Sequence, residues 1–181
     1  MSVLYDDVSE ILITKEKLDE ICGQLGEKIS HDYKGKKLIL VGIMKGGLIF
    51  LSDLLRKISI PVEFGTVTAS SYGQGTSSSG QVKILQDLDM DIRGKDVIIV
   101  EDLIDTGHTL KYLQNFFALR GPTSVKICCM LDKPSRREKQ VHVDYIGQEI
   151  PDKFVVGYGM DFNEKYRNLA DVCVLKEEMY K

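Results

Sequence analysis

The sequence predicts an α/β protein in which a mostly parallel, twisted sheet is flanked by helices. Two apolar runs, at residues 38–43 and 97–100, have the length and the β-branched content of fully buried strands. Each run leads into a glycine-containing turn and then into a helical pattern. Because strand–helix–strand units connect by right-handed crossovers, this alternation indicates a parallel sheet with helices packed against it.

The predicted elements follow one another regularly along the chain. Thr14 is a predicted N-cap, because apolar residues recur at helical spacing over residues 15–32. Gly121 and Pro122 are predicted to stop the helix that follows the central strand. The other predictions are helices over 48–58 and 107–119, strands over 62–69, 82–85 and 125–131, and strands near 143–146 and 154–158.

Length and charge indicate one domain without a basic surface. A chain of 181 residues can bury about two-thirds of its unfolded surface. Its net charge of −3 gives no reason to expect nucleic-acid binding. No apolar run reaches the length of a membrane span, and no basic segment precedes an apolar one near residue 1, so we expect no membrane partner and a cytoplasmic location.

The four cysteines are predicted to be reduced and mostly buried. Cys128 and Cys129 are adjacent in a predicted strand, where neighbouring side chains point to opposite faces. A disulfide between them would therefore be strained. The three histidines are scattered, and their spacing to the cysteines does not fit a zinc site.

The central strand leads into the most informative segment of the chain. Glu101 and Asp102 follow its four β-branched residues, and Asp105 precedes a Thr-Gly-His-Thr sequence that opens the next helix. Ligands of open α/β sheets bind outside the carboxyl ends of strands, and a glycine-containing turn at a helix N-terminus directs N–H groups at an anion. The acids would repel that anion unless they bind sugar hydroxyls, a metal ion or a proton. The segment therefore predicts a sugar-phosphate site.

Two other interpretations of these acids have to be weighed. Adjacent acids after a parallel strand can be solvated loop residues. A receiver-type phospho-acceptor pocket also has acids at strand ends, but such a site is acidic throughout and gives a Thr-Gly turn no role. The complete order of strand, acids and Thr-Gly turn is more restrictive than its parts, and it favours the sugar phosphate.

Two further segments are ambiguous from their residues alone. Residues 70–80 are rich in glycine, serine and threonine, which is typical both of a loop that closes over an active site and of a disordered surface loop. Residues 44–47, Met-Lys-Gly-Gly, are by themselves typical of a plain turn before a helix.

The segment 97–110 resembles the phosphoribosyl-diphosphate (PRPP) binding motif of the type I phosphoribosyltransferases. The segments 82–85, 93–96, 131–137 and 150–159 resemble the hypoxanthine-guanine branch of that family in its bacterial form. The resemblance covers nearly the whole chain. It implies the type I phosphoribosyltransferase fold, with a small irregular hood subdomain built from the termini.

The resemblance also implies a domain organisation and a reaction. The core would cover about residues 14–132, and the hood about 133–181 together with the N-terminal lead-in. The implied reaction is purine salvage, in which the 5-phosphoribosyl group of PRPP passes to N9 of hypoxanthine, and also of guanine, and gives IMP or GMP and pyrophosphate. Mg²⁺ is the implied cofactor, and a homodimer or homotetramer is the implied assembly.

Roles are implied for the residues that match the family's PRPP motif. Asp105 matches the general base near N7 of the purine. Glu101 and Asp102 match the acids that bind the ribose hydroxyls, directly or through Mg²⁺, and their charge would favour an oxocarbenium-like transition state. The loop around the 5′-phosphate would consist of Asp105, Thr106, Gly107, His108 and Thr109.

Further residues are assigned to the purine by the same resemblance. Lys133 matches the donor to purine O6, and Phe154 matches the aromatic residue that stacks on the purine ring. The backbone of Val155 would face the 2-position of the ring. Asp161 is assigned to the purine site and resembles a further acid that contacts the metal, beside Glu101 and Asp102.

Pyrophosphate and the lid complete the implied site. Lys45, Gly46 and Arg167 match the residues that contact pyrophosphate, and family members carry a cis peptide bond that would here precede Lys45. Ser71 and Tyr72 match the catalytic lid, whose closure would exclude water from the cationic transition state.

Other functions of the same fold remain as alternatives. A xanthine-preferring enzyme differs only at the 2-position of the base, whereas Lys133 and Phe154 argue against uracil. A PRPP-sensing regulator that binds nucleic acid would show a basic face or an added domain. The slightly acidic chain keeps every proposed catalytic group, which favours the enzyme.

Overall fold

Residues 3–72 and 81–180 are described by the computed structural model, and three α-helices and nine β-strands form within them. The helices are α1 Lys15–Asp32, α2 Leu48–Lys57 and α3 His108–Ala118. The strands are β1 Val8–Ile13, β2 Leu38–Met44, β3 Val62–Tyr72, β4 Gln81–Gln86, β5 Asp96–Ile104, β6 Ser124–Asp132, β7 Tyr145–Glu149, β8 Val155–Val156 and β9 Val172–Leu175.

The larger sheet has the strand order β4-β3-β2-β5-β6-β7 in the described part of the chain. Strands β3, β2, β5, β6 and β7 run parallel, and β4 joins the edge antiparallel to β3. The chain moves outward in one direction from β2 to β3 and in the other from β5 to β6. The boundary between β2 and β5 is therefore a topological switch point, where open α/β sheets bind ligands beyond the carboxyl ends of their strands.

Helices cover both faces of this sheet, as the sequence predicts. Helices α1 and α2 share one apolar core with alternate residues of β2, β5 and β6, and α3 packs on the other face. Cys128 belongs to the first core and Cys129 to the second, so the two neighbours do point to opposite faces. All four cysteines are free and buried, which confirms the prediction of reduced thiols.

A second, three-stranded sheet joins the two ends of the described chain and is called here the terminal sheet. Its order is β1-β9-β8, with antiparallel pairs throughout. Its own apolar cluster contains Val156, Tyr166 and Leu169. The sequence predicts no strand in the N-terminal lead-in, residues 1–13, whereas β1 forms there because it pairs with β9.

Several helix and strand boundaries differ from the predicted ones, mainly because of strand pairing. Thr14 caps α1 as expected, since its side chain accepts a hydrogen bond from the Lys17 N–H at 3.4 Å. Strand β3 continues through Tyr72, because its end pairs with β4, so the predicted loop 70–80 begins too early. The remainder of that predicted lid, residues 73–80, lies outside the described residues. Strand β5 extends through Ile104, so Glu101 and Asp102 lie within the strand.

In the described part of the chain, no helix is long and apolar enough to cross a membrane.

Candidate active site

A cleft of about 430 Å³ opens at the carboxyl ends of β2 and β5, at the switch point of the sheet. The turn after β2, the end of β6 and the segment around β8 form its other walls. Ten of the predicted site residues line it: Gly46, Glu101, Asp102, Asp105, Thr109, Lys133, Phe154, Val155, Asp161 and Arg167. The structure therefore brings together residues that are up to 121 positions apart in the sequence, from Gly46 to Arg167.

Some of the other predicted site residues lie beside the cleft, and for two of them the side chains are not described. Lys45 pairs with Glu164, with 3.0 Å between Nζ and Oε2, and His108 contacts Glu138. Thr106 and Gly107 form the turn next to the cleft without lining it. The backbones of Ser71 and Tyr72 pair with β4, but their side chains are not among those described.

The turn after β2 approaches β5 very closely. The peptide bond between Met44 and Lys45 is cis. A Cβ built on Gly46 would lie only 2.1 Å from Oδ2 of Asp102, so glycine is required at this approach. The other carboxylate oxygen of Asp102 accepts a hydrogen bond from the Leu103 N–H at 2.8 Å. The turn after β2 therefore packs directly against the Asp102 carboxylate.

Glu101 and Asp102 are adjacent acids on β5, and burial affects the ionisation of Glu101. Burial raises the pKa of the Glu101 carboxyl well above its usual range, and the charge of Asp102 raises it further. Asp102 is itself buried. A cation or a set of hydroxyl donors in the cleft would relieve this repulsion.

Asp105 lies at the first turn beyond β5, with its carboxylate half-exposed toward the cleft. Its Oδ1 accepts a hydrogen bond from Nε of Arg136 at 3.1 Å. The same guanidinium is 3.9 Å from Asp152. The Asp105 carboxylate is thus held by one cation and still reachable from the cleft.

The turn from Asp105 into α3 presents backbone N–H groups to the cleft side. Gly107 has a φ of 86°, a left-handed conformation that favours glycine, and α3 begins at the next residue. The first N–H groups of a helix have no partner inside the helix. Within the described residues, no group accepts from the N–H groups of residues 106–109, so they form a concave set of donors suited to an anion.

Lys133 and Phe154 both line the cleft. Lys133 is 6% exposed, and burial lowers the pKa of its ammonium. Its Nζ donates to the Lys153 carbonyl at 2.6 Å. Phe154 is 41% exposed, with the rings of Phe162 and Tyr180 beside it. A large aromatic left this exposed beside a buried cation is suited to a flat ligand with an acceptor group.

Arg167 anchors the remaining wall of the cleft. Its guanidinium contacts Oδ1 of Asp161 at 2.8 Å and donates to the Gly159 carbonyl at 2.8 Å. Its buried Nε has no partner among the described residues. Asp161 is therefore already paired, and the guanidinium retains donor capacity for an additional anion.

The acids of the cleft are also the candidate ligands for a metal ion. In the parts of the chain that are described, no three His, Cys, Asp or Glu side chains cluster as a metal site. The acids at the cleft are nevertheless oxygen donors, the type of ligand that Mg²⁺ prefers.

Three contacts with the turn after β5 were not foreseen. Arg136, Arg137 and Glu138 bond to Asp105 or His108. The sequence shows these residues only as a charged run after Lys133, with no periodicity that would separate them from a solvated surface. Only the folded structure brings them to their partners, which lie about 30 residues earlier in the chain.

Comparisons with known proteins agree with this geometry. A family profile for the phosphoribosyl transferase domain matches residues 7–163. A hypoxanthine-guanine phosphoribosyltransferase of Streptococcus agalactiae is 46% identical over 178 residues, which cover 98% of this chain and 99% of that protein. The corresponding protein of Staphylococcus aureus strain Mu50 is 44% identical and is likewise covered over 99% of its length.

Solved structures give the same relationship. A crystal structure of a hypoxanthine phosphoribosyltransferase from Staphylococcus aureus superposes with a TM-score of 0.96 at 44% identity, covering 99% of this chain and 98% of that one. A Trypanosoma cruzi hypoxanthine phosphoribosyl transferase superposes with a TM-score of 0.92 at 38% identity and covers 97% and 95% of the two chains.

Proposed function

This chain belongs to the hypoxanthine-guanine phosphoribosyltransferase branch of the phosphoribosyltransferase family, and we propose that it transfers the 5-phosphoribosyl group of PRPP to N9 of hypoxanthine or guanine. The products are IMP or GMP and pyrophosphate. The observation that carries this proposal is the cleft at the switch point. It combines acids on β5, N–H groups at the start of α3 that have no acceptor among the described residues, and a buried lysine beside an exposed aromatic ring.

The phosphoribosyl group occupies the β5 side of the cleft in this proposal. The 5′-phosphate binds to the N–H groups and hydroxyls of residues 105–109, where the helix dipole favours negative charge. Glu101 and Asp102 bind the ribose hydroxyls. Because these carboxylates lie beneath the sugar, their charge also stabilises the positive charge that develops at the anomeric carbon.

The purine lies between Phe154 and the end of β6. Lys133 donates to O6, which favours a 6-oxopurine over adenine, because adenine has a donor at that position. Asp105 accepts or holds the proton at N7 as N9 attacks the anomeric carbon. The Val155 backbone and Asp161 border the 2-position of the base.

Pyrophosphate leaves toward the turn after β2. The N–H groups of Lys45 and Gly46 and the guanidinium of Arg167 bind its charge. Glu101, Asp102 and Asp161 would hold Mg²⁺ together with substrate oxygens and water, and the bound ion would supply further neutralisation of the leaving group. We also propose that Ser71 and Tyr72 belong to a lid over the site, that the core and hood divide near residue 132, and that the enzyme is a cytoplasmic homodimer or homotetramer.

A parallel assay with five bases tests the proposal. PRPP and Mg²⁺ are incubated with hypoxanthine, guanine, xanthine, adenine or uracil, and product formation is followed by absorbance. We expect turnover of hypoxanthine and guanine, loss of turnover in EDTA, and none with adenine or uracil. Measurable PRPP binding without turnover of any base would contradict the enzyme and favour a PRPP-sensing regulator.

A further inference from the structure

The turn after β5 is held from outside by the segment that follows Lys133. The Ile104 carbonyl accepts from the Lys133 N–H at 3.0 Å. The Thr106 carbonyl accepts from two further N–H groups, those of Glu138 at 3.0 Å and Lys139 at 2.9 Å. Residues 137–139, called here the clasp, therefore bond to the turn mainly through backbone groups.

Arg137 bonds through its side chain to the turn and to the end of β6. Its Nη1 donates to the Asp105 carbonyl at 2.7 Å, and its Nη2 donates to the carboxylate of Asp132. The two side chains of this ion pair are 18% and 8% exposed. Asp132 is the last residue of β6, so the guanidinium joins the end of one strand to the turn after its neighbour.

The clasp determines which backbone groups of the turn remain available. The carbonyls of residues 104–106 accept from the clasp or from Lys133, and that of Gly107 accepts from the N–H of Lys111 at 3.0 Å. The carbonyl acceptors of the turn are thus occupied. The N–H groups of residues 106–109 have no acceptor among the described residues and are left available to the 5′-phosphate.

A guanidinium is suited to this bridge for a geometric reason. Its N–H donors lie in one fixed plane and can reach two acceptors at once. The ammonium of a lysine is a single nitrogen on a flexible chain and does not hold two acceptors in a fixed geometry. Asp132 is buried, and the bond to the Asp105 carbonyl is partly buried, so solvent would not fully replace a lost bond.

We propose that Arg137 is a positioning residue for phosphate binding: by joining Asp132 to the Asp105 carbonyl, it holds the turn in the conformation that directs the N–H groups of residues 106–109 at the 5′-phosphate. This inference rests on the proposed function. Arg137 does not contact the substrate, and it acts only through the backbone of the turn.

The contribution of the 5′-phosphate to binding provides a specific test. Dissociation constants of IMP and inosine, which differ only by that phosphate, are measured by calorimetry for the unmodified protein and for Arg137→Lys. We expect the ratio of the inosine constant to the IMP constant to fall roughly tenfold or more, because a hydrogen bond to a charged group is lost near the phosphate site. Inosine binding should change little.

Arg120→Lys is the matched control. Arg120 is also a partly buried arginine that pairs with one aspartate, Asp87, but it lies in the loop between α3 and the start of β6, whereas the cleft lies at the carboxyl ends of the strands. Its substitution should leave the ratio unchanged. A fall in thermal stability without a fall in the ratio for Arg137→Lys would overturn the proposal, because it would show a purely structural role.

Asp132→Asn provides a second variant of nearly unchanged shape if Arg137→Lys folds poorly. It weakens the hold on the guanidinium and should lower the ratio in the same direction. An unchanged ratio in the folded variants would overturn the inference alone. An unmodified protein that binds IMP no more tightly than inosine would instead contradict the phosphate site and with it the proposed function.

Discussion

Asp105 is the residue on which the proposed chemistry depends most directly. Asp105→Asn removes the proton acceptor but preserves the shape of the side chain, and it leaves the backbone of the phosphate turn in place. We expect kcat to fall about 10²- to 10⁴-fold, the usual contribution of a positioned acid or base. The dissociation constant of PRPP should change by only a few-fold, which steady-state kinetics and calorimetry together would establish.

Asp152→Asn is the matched control for that substitution. Asp152 approaches the same guanidinium as Asp105, at 3.9 Å from Arg136, but it does not line the cleft. Its substitution should leave kcat nearly unchanged. Equal losses of kcat and PRPP affinity in Asp105→Asn would indicate that the carboxylate only maintains the turn.

Glu101 permits a prediction of pH dependence. Burial, together with the charge of Asp102, raises the pKa of Glu101 in the folded protein above the value of 4.5 of an unperturbed glutamate. The folded state therefore retains this proton at pH values where the unfolded state has lost it, so stability decreases as pH rises from about 4.5 through the folded pKa. At pH values above about 4.5 this carboxyl group therefore lowers the stability of the fold.

Glu101→Gln should accordingly raise the melting temperature at pH 8, and the gain should shrink toward pH 4.5. A gain of about 2–4 °C corresponds to about 1 kcal/mol in a protein of this size. Thermal melts of both proteins at several pH values would check this, with the exposed Glu27→Gln as control. A gain that stays constant with pH would mean that the charge of Glu101 is not its cause.

Residue types at strand ends were predictable because their chemistry is local. The acids of β5 and the Thr-Gly turn are contiguous in sequence; the acids line the cleft, and the turn lies beside it. Arg137 could not be recognised in this way, since its two partners are the end of β6 and a carbonyl 32 residues earlier. A bond to a backbone carbonyl leaves no residue pattern for sequence analysis to detect.

At the scale of the elements, the junction between β2 and β5 limits what the turn at Gly46 can accommodate. A Cβ at this position would lie 2.1 Å from Oδ2 of Asp102, so Gly46→Ala must displace the turn or the carboxylate. Because both belong to the proposed pyrophosphate and ribose sites, we expect kcat/KM for PRPP to fall at least roughly tenfold. Steady-state kinetics with varied PRPP would measure this.

Gly23→Ala serves as the control for the same chemical change. A Cβ on Gly23 would have no heavy atom within 4 Å, and the residue lies inside α1. Alanine there should stabilise the helix by about 0.5–1 kcal/mol and leave kinetics unchanged. A Gly46→Ala protein with full activity would show that the turn can move without cost.

Helices and strands were predictable where an apolar pattern runs through consecutive residues. The buried runs of β2 and β5 and the apolar face of α1 were all found, because burial imposes a pattern on consecutive residues. Strands β1 and β9 were missed. They pair across more than 150 residues, and β1 has mostly exposed or half-exposed positions, so neither the apolar periodicity nor a turn indicated them.

For the whole molecule, the important division is between the large sheet and the terminal sheet. The terminal sheet has an apolar cluster of its own, and two tyrosines fasten the N-terminal residues to it. The Tyr5 hydroxyl donates to Asp171 at 2.5 Å, and the Tyr166 hydroxyl donates to Asp7 at 2.8 Å. We therefore expect the terminal sheet to open separately from the rest of the fold.

Replacing both tyrosines, in Tyr5→Phe with Tyr166→Phe, would test this division. Each lost bond should cost about 0.5–1.5 kcal/mol of local stability, and native-state hydrogen exchange should show faster exchange of the β9 amides. The amides of β5 should keep their protection.

The bond to Asp171 raises the pKa of Tyr5 to about 12. The contribution of this bond to stability is therefore complete at neutral pH, and it is lost only as pH rises from about 10 through 12.

Tyr112→Phe is the control for the loss of a hydroxyl, because Tyr112 lies on α3 and its hydroxyl has no hydrogen-bond partner among the described residues. Its exchange pattern should match that of the unmodified protein. Phe154 and Asp161 lie in or next to the terminal sheet, so the double variant should also bind hypoxanthine more weakly. Equal acceleration of the β5 and β9 amides would instead show that the two sheets unfold as one cooperative unit.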